Sequence, residues 1–119
     1  MGKAVSNGFL DGTLDNIAGS TSINVCSAEP ANQAGIAAVS LADGTIGAGD
    51  FTKANGDTNG RKVTVAQQAD LTIDTSGTAT HVVIDDGTDI YVTTCTSIVL
   101  TSGGTVTIPA WDIEIADPT

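Results

Sequence analysis

The sequence predicts a mainly β protein, a single antiparallel sandwich or barrel of hairpins with one short helix near the N-terminus. Three observations carry this. Between residues 62 and 115, short apolar runs recur at the spacing of hairpin-built sandwiches, roughly 8–12 residues, with turn residues between them. Hydrophobic residues make up 40% of the chain but aromatics only 3%, so the core must come mostly from Val, Ile, Leu and Ala. Small and β-branched side chains of that kind pack onto pleated sheets and fill a thin core. Finally, no repeat of fixed period runs through the chain, which disfavours a solenoid. The 119 residues are one domain in length, expected as a single β-rich structural domain over 1–119. A chain of that length buries about 65% of its unfolded surface, enough for one core without a stapling metal.

Taken in order, residues 1–20 read as a helical or arm segment. Within it Phe9, Leu10, Leu14, Ile17 and Ala18 fall at helical spacing, with Asp11, Asp15 and Asn16 opposite, which predicts a helix over 7–18. Gly8 and Gly12 weaken it and Gly19 can end it. Residues 22–28, SINVCSA, alternate as a strand and stop at Glu29-Pro30. Residues 36–42, IAAVSLA, predict a second strand, ended by Asp43-Gly44. Residues 45–60, rich in Gly, Asn and Asp without apolar periodicity, read as a long exposed loop. Strands are then predicted at 62–66, 71–74, 80–85, 90–94, 97–101, 105–108 and 111–115. In the last of these, Trp111, Ile113 and Ile115 face one way, with Asp112 and Glu114 on the exposed side.

The stretch THVVIDDGTDIYVTTC, residues 80–95, gathers the one histidine, three carboxylates, the one tyrosine and one of two cysteines. With Asp86-Gly87 at the centre of a type I′ turn, Asp85 faces Thr88, Ile84 faces Asp89, Val83 faces Ile90, Val82 faces Tyr91 and His81 faces Val92. Both faces of this hairpin are then partly apolar, which places it inside a sheet or against a partner. The carboxylates have a turn explanation, because a two-residue turn cannot curl round a calcium ion that needs six to eight oxygens. His81 lies up the strand from the turn and reads as structural.

Other chemistry finds little footing. Asn55, Asp57, Asn59 and Gly60 match the start of a calcium loop, but the bidentate acid expected six residues after the glycine falls at Ala66. No G-x-S-x-G elbow is present, and GAGD at 47–50 lacks the lysine and helix of a phosphate loop. Two cysteines and one histidine do not make a zinc site. The expectation is no enzyme, with no catalytic, cofactor-binding or metal residues and no cofactor. A net charge of −10, with Lys3, Lys53, Arg61 and Lys62 as the basic residues, argues against nucleic acid and anionic membrane as partners. No run reaches the length of a membrane span. No secretory signal is expected from MGKAVSNGFLDG, although Gly2 and Ser6 fit the loose N-myristoylation pattern. A disulfide between Cys26 and Cys95 is open, with two buried free thiols as the expectation in the absence of a signal.

The whole layout has a family likeness. A short helix runs into SINVCSAEP, a Gly/Asn-rich loop leads to NGRKVTVAQQ, then come GTATHVVIDDGTDIYVTT and LTSGGTVTIPAWDIEIADP. This order resembles small head-encoded structural proteins of tailed bacteriophages, in particular capsid decoration (cement) proteins. The likeness covers nearly the entire chain and consists of turns and strand patterns. LADGTIGAGDFTKANGD, acidic and poor in aromatics, departs from it and assigns no capsid-contacting residue. The resemblance implies a structural virion protein on the capsid exterior, made in the host cytoplasm. Its partner would be the major capsid protein, and it would be a homo-oligomer, with a trimer favoured. The alternatives are a tail, receptor-binding or carbohydrate-binding β-module, and a small hydrolase in which His81 would meet a Ser and an Asp.

Overall fold

The structure, a computed structural model, describes residues 6–116; Gly2 of the myristoylation pattern and Lys3 lie outside the described residues. The chain opens with helix α1 (Asn7–Ala18). Ser6 sets its start, its Oγ accepting the Phe9 N–H at 3.4 Å, the N-cap arrangement that satisfies an orphan donor of the first turn. Leu10 and Leu14, one turn apart, face the core, while Phe9 stands exposed. After Gly19 come β1 (Ser22–Cys26), a 3₁₀ turn at Gln33–Gly35, the one-turn helix α2 (Ile36–Val39) and β2 (Ser40–Thr45). Then follow β3 (Phe51–Asn55), β4 (Arg61–Val65), β5 (Gln68–Thr72), β6 (Gly77–Asp85), β7 (Ile90–Leu100), β8 (Thr105–Ile108) and β9 (Trp111–Ile115).

The strands form three antiparallel sheets, ordered β2-β1-β6-β7, β3-β4-β9 and β5-β8. One hydrophobic cluster runs through all three. It takes Leu14 from α1, Ile23 and Val25 from β1, Val63 and Val65 from β4, Val82 and Ile84 from β6, and Ile113 from β9. A second, smaller cluster lies on the other face of the four-stranded sheet, where Cys26 and Val83 pack under Ile36. This explains why β6 is apolar on both sides: alternate residues serve two different layers. The expectation for the hairpin holds for β6, which lies between β1 and β7 inside the sheet, whereas β7 is the edge strand.

Four expectations are corrected. Residues 36–39 form a helical turn, not the start of a strand, and the strand begins at Ser40. Asn32 starts the turn by accepting the Gly35 N–H on Oδ1 at 3.0 Å, and Ala37 and Ala38 carry no side chain that resists helix. The stretch 45–60 is not all loop. Asp50 closes a 3₁₀ turn by accepting the Gly47 N–H at 2.9 Å, and Phe51–Asn55 adds itself to β4. The runs at 90–94 and 97–101 are one strand, β7, irregular opposite Thr80 where the register with β6 shifts.

The β6–β7 turn is two residues longer than expected. Asp85 pairs with Ile90, Ile84 with Tyr91, Val83 with Val92, Val82 with Thr93 and His81 with Thr94. A type I′ turn needs positive φ at Asp86, whereas among the described non-glycine residues only Asp70 has it. Asp86 instead folds its carboxylate over the turn, accepting the N–H groups of Thr88 at 2.9 Å and Asp89 at 2.7 Å. The slip is by two, so each side chain keeps its expected face.

Candidate functional site

Asp85 ends β6 and is 6% exposed. A carboxylate there must be hydrogen-bonded to be tolerated. Its Oδ2 accepts from the Ser22 hydroxyl and from Asn24 Nδ2 at 3.5 Å, and its Oδ1 accepts the Gly87 N–H at 3.0 Å. Ser40 extends the chain of bonds by donating to Asn24 Oδ1 at 3.2 Å. Ser22 and Asn24 are alternate residues of β1 and pair across the sheet with Asp85 and Val83, so one sheet face holds the network. Asp43, opposite Asn24 on β2, shares this face. Its carboxyl is raised above the ordinary range, first by a hydrogen bond to Asp74 and then by burial. A polar depression of about 580 Å³ opens above these groups.

This constellation is a fastener for the ends of β1, β2 and β6. His81 does not join it. His81 and Asp85 share a strand face four residues apart, about 13 Å by strand rise, and fully buried Val83 stands between them. The His81 Nδ1 lies 2.8 Å from Thr80 Oγ1. The Ser–His–Asp meeting required by the hydrolase reading is therefore not made by Ser22, His81 and Asp85. Among the described residues, no group of three or more His, Cys, Asp or Glu could hold a metal ion. Both thiols are free, Cys26 buried and Cys95 partly so. Burial, with Cys95 nearby, pushes the Cys26 thiol up to about 11, and burial raises Cys95 as well.

At the β3-β4-β9 sheet the remaining charges bind one another. The Arg61 Nε–H donates to Asp11 Oδ1 at 2.8 Å and its Nη1 to Asn55 at 2.8 Å, tying α1 to the end of β3. That bond holds the Asp11 carboxyl below its usual range. Lys53 pairs with Asp15, and Lys62 with Asp57 at 2.7 Å and Asp112 at 3.3 Å. Thr64 donates to Asp112 at 2.6 Å, and these two partners lower the Asp112 carboxyl. The calcium-like loop is thus closed from within, with Asp57 bound to Lys62 and its N–H donating to Glu114 at 2.7 Å.

Two further surface features escaped the sequence reading. Tyr91 borders a depression of about 500 Å³ together with Asn16, Asn32, Asp86 and Asp89. Two adjoining apolar depressions, of about 240 and 230 Å³, share Val82, Cys95, Ile108 and Pro109. Trp111 lines the second, and among the described residues its Nε1 is the buried side-chain donor with no partner. No protein-family model, curated protein or solved structure matches the chain.

Proposed function

We propose that this protein is a structural virion component that binds the outer surface of a tailed-phage capsid and stabilises contacts between neighbouring major capsid subunits. The resemblance of its strand and turn order to capsid decoration proteins supports the reading. The observation that carries it is the use of the polar side chains. Arg61, Lys62, Lys53 and their acidic partners join helix to sheet and strand to strand, and Asp85 and Asp86 fasten strand ends and a turn. A molecule so arranged works by shape. Its extents of 55 × 25 × 23 Å give it the reach to lie across a boundary between two larger subunits. Many copies on one shell turn a modest affinity per contact into a large total. The test is to mix the purified chain with undecorated capsids of its phage. Co-sedimentation with the shells and greater resistance of the shells to heat are expected; failure to bind removes the proposal.

A carbohydrate-binding role has one observation in its favour, the Tyr91 ring beside amide and carboxylate groups in an open depression. A glycan screen in which Tyr91→Ala abolishes binding would favour it over the capsid reading.

A further inference from the structure

A sheet edge presents unpaired N–H and C=O groups, and proteins usually blunt such edges with charge, bulges, proline or shortness. Among the described residues, charge or shortness protects every free edge but one. β2 carries Asp43 and is bridged at Ala42 to Ile73. β3 carries Lys53, paired with Asp15 from α1, and β9 carries Asp112 and Glu114. β5 is bulged next to Asp70, and β8 has four residues and runs into Pro109. β7 lies at the end of its sheet and is 11 residues long; it is irregular opposite Thr80 but bears no charge from Ile90 to Leu100. Ile98 and Val99, on opposite faces of its outer half, are 53% and 75% exposed. The apolar depressions beneath Cys95 and Ile98 run beside this same stretch.

We propose that the free edge of β7 is a self-association surface, where two copies of this chain pair antiparallel across a two-fold axis and join their four-stranded sheets into one of eight strands. Charge selects the occupant. A basic partner would be drawn to Asp112 and Glu114 on β9, or to Asp43 and Asp74, and β7 gives it nothing to bind. Two copies, each with net charge −10, repel wherever their carboxylates meet. Along β7 they meet neutral against neutral in any antiparallel register, so this edge escapes the repulsion. An isologous antiparallel contact sets the uncharged Thr, Ser, Ile and Val of one copy against uncharged residues of the other, and β-branched and hydroxyl pairs of this kind stabilise antiparallel sheets. Ile98 then lies over the apolar depressions, where a second strand would shield them from water. The contact closes in pairs, and it does not depend on the capsid reading.

Sedimentation equilibrium of the full chain over a hundredfold concentration range tests this. Twice the chain mass is expected at the high end. Val99→Lys and Ile98→Lys, each with an unchanged far-UV circular dichroism spectrum, should weaken association by roughly tenfold or more, because a lysine on the pairing edge is the kind of charge that blocks edge-to-edge strand pairing. Phe9→Lys, at an exposed residue on α1, should leave it unchanged. Amide exchange offers a readout without any variant: outward-facing β7 amides should slow with concentration. A monomer at every concentration, a trimeric mass, a dimer indifferent to both lysines, or β7 amides whose exchange ignores concentration would each overturn the proposal. Capsid binding can fail with the dimer intact, and the dimer can fail with capsid binding intact.

Discussion

Gly60 and Gly87 both hold left-handed backbone, at φ of +73° and +94°, yet a methyl group should affect them differently. A Cβ on Gly87 meets nothing within 4 Å, so Gly87→Ala costs the left-handed penalty alone, about 1–2 kcal/mol. A Cβ on Gly60 would stand 2.0 Å from the Ile115 carbonyl oxygen, which is backbone and cannot swing aside. Gly60→Ala should therefore cost clearly more, through displacement of β9 from β4, and urea denaturation of the two variants checks the order. Trp111 is a second residue where geometry sets the sign. Its indole N–H is buried without an acceptor, and an orphaned donor costs about 1–3 kcal/mol of desolvation. Trp111→Phe removes that penalty while keeping most of the ring contacts. The expected change in stability lies between neutral and stabilising, read by circular dichroism in urea. A loss of several kcal/mol would mean that the N–H has a partner in solution.

The β6–β7 hairpin shows how unevenly an element carries the fold. Ile84, 1% exposed and part of the main cluster, should cost about 2–5 kcal/mol when cut to Ala. Val99→Ala on the same hairpin should stay within about 0.5 kcal/mol in the monomer, because that side chain is 75% exposed. Urea midpoints of the two variants give the comparison. Elements of this kind were legible where one physical signal dominated. The alternation of Ile23 and Val25, of Val63 and Val65, and of Ile113 with its neighbours marked strands, and Leu10 with Leu14 marked the helix. The structure differs where a distant or side-chain partner decides. Phe51–Asn55 is a strand because Arg61–Val65 accepts it, not because of its own pattern. The hairpin turn lengthens because one carboxylate, Asp86, binds two backbone amides. The polar network of Ser22, Asn24 and Asp85 joins residues 61 and 63 positions apart, a separation that no local pattern records.

At the scale of the molecule, shape and charge act together. The Cα radius of gyration is 15.4 Å, against about 13.5 Å for a compact domain of this length, so the surface is large and the acidic groups are spread along a rod. Their pH response has two opposed parts. Asp11, Asp86 and Asp112 are held below the ordinary carboxylate range by Arg61, by the amides of the β6–β7 turn, and by Thr64 with Lys62. A depressed carboxylate stabilises the fold when ionised. That contribution is complete above the unfolded value of about 3.9 and disappears as pH falls through the lowered values. Asp43 has the reverse sign, because the hydrogen bond with Asp74 and burial favour its protonated form. Its contribution is complete below the unfolded value and is lost as pH rises through the raised one. From neutral pH downward, stability should first rise as Asp43 takes up its proton and general repulsion eases. It should then fall below about pH 4 as the three stabilising carboxylates are protonated. Asp43→Asn keeps a hydrogen bond to Asp74 without the second charge. It should be more stable than the parent at pH 7, should lose most of the mildly acidic rise, and should keep the acid collapse unchanged. Urea midpoints measured across the acidic range for both chains decide the matter, and superimposable profiles would show that the Asp43 carboxyl is not raised in the folded protein.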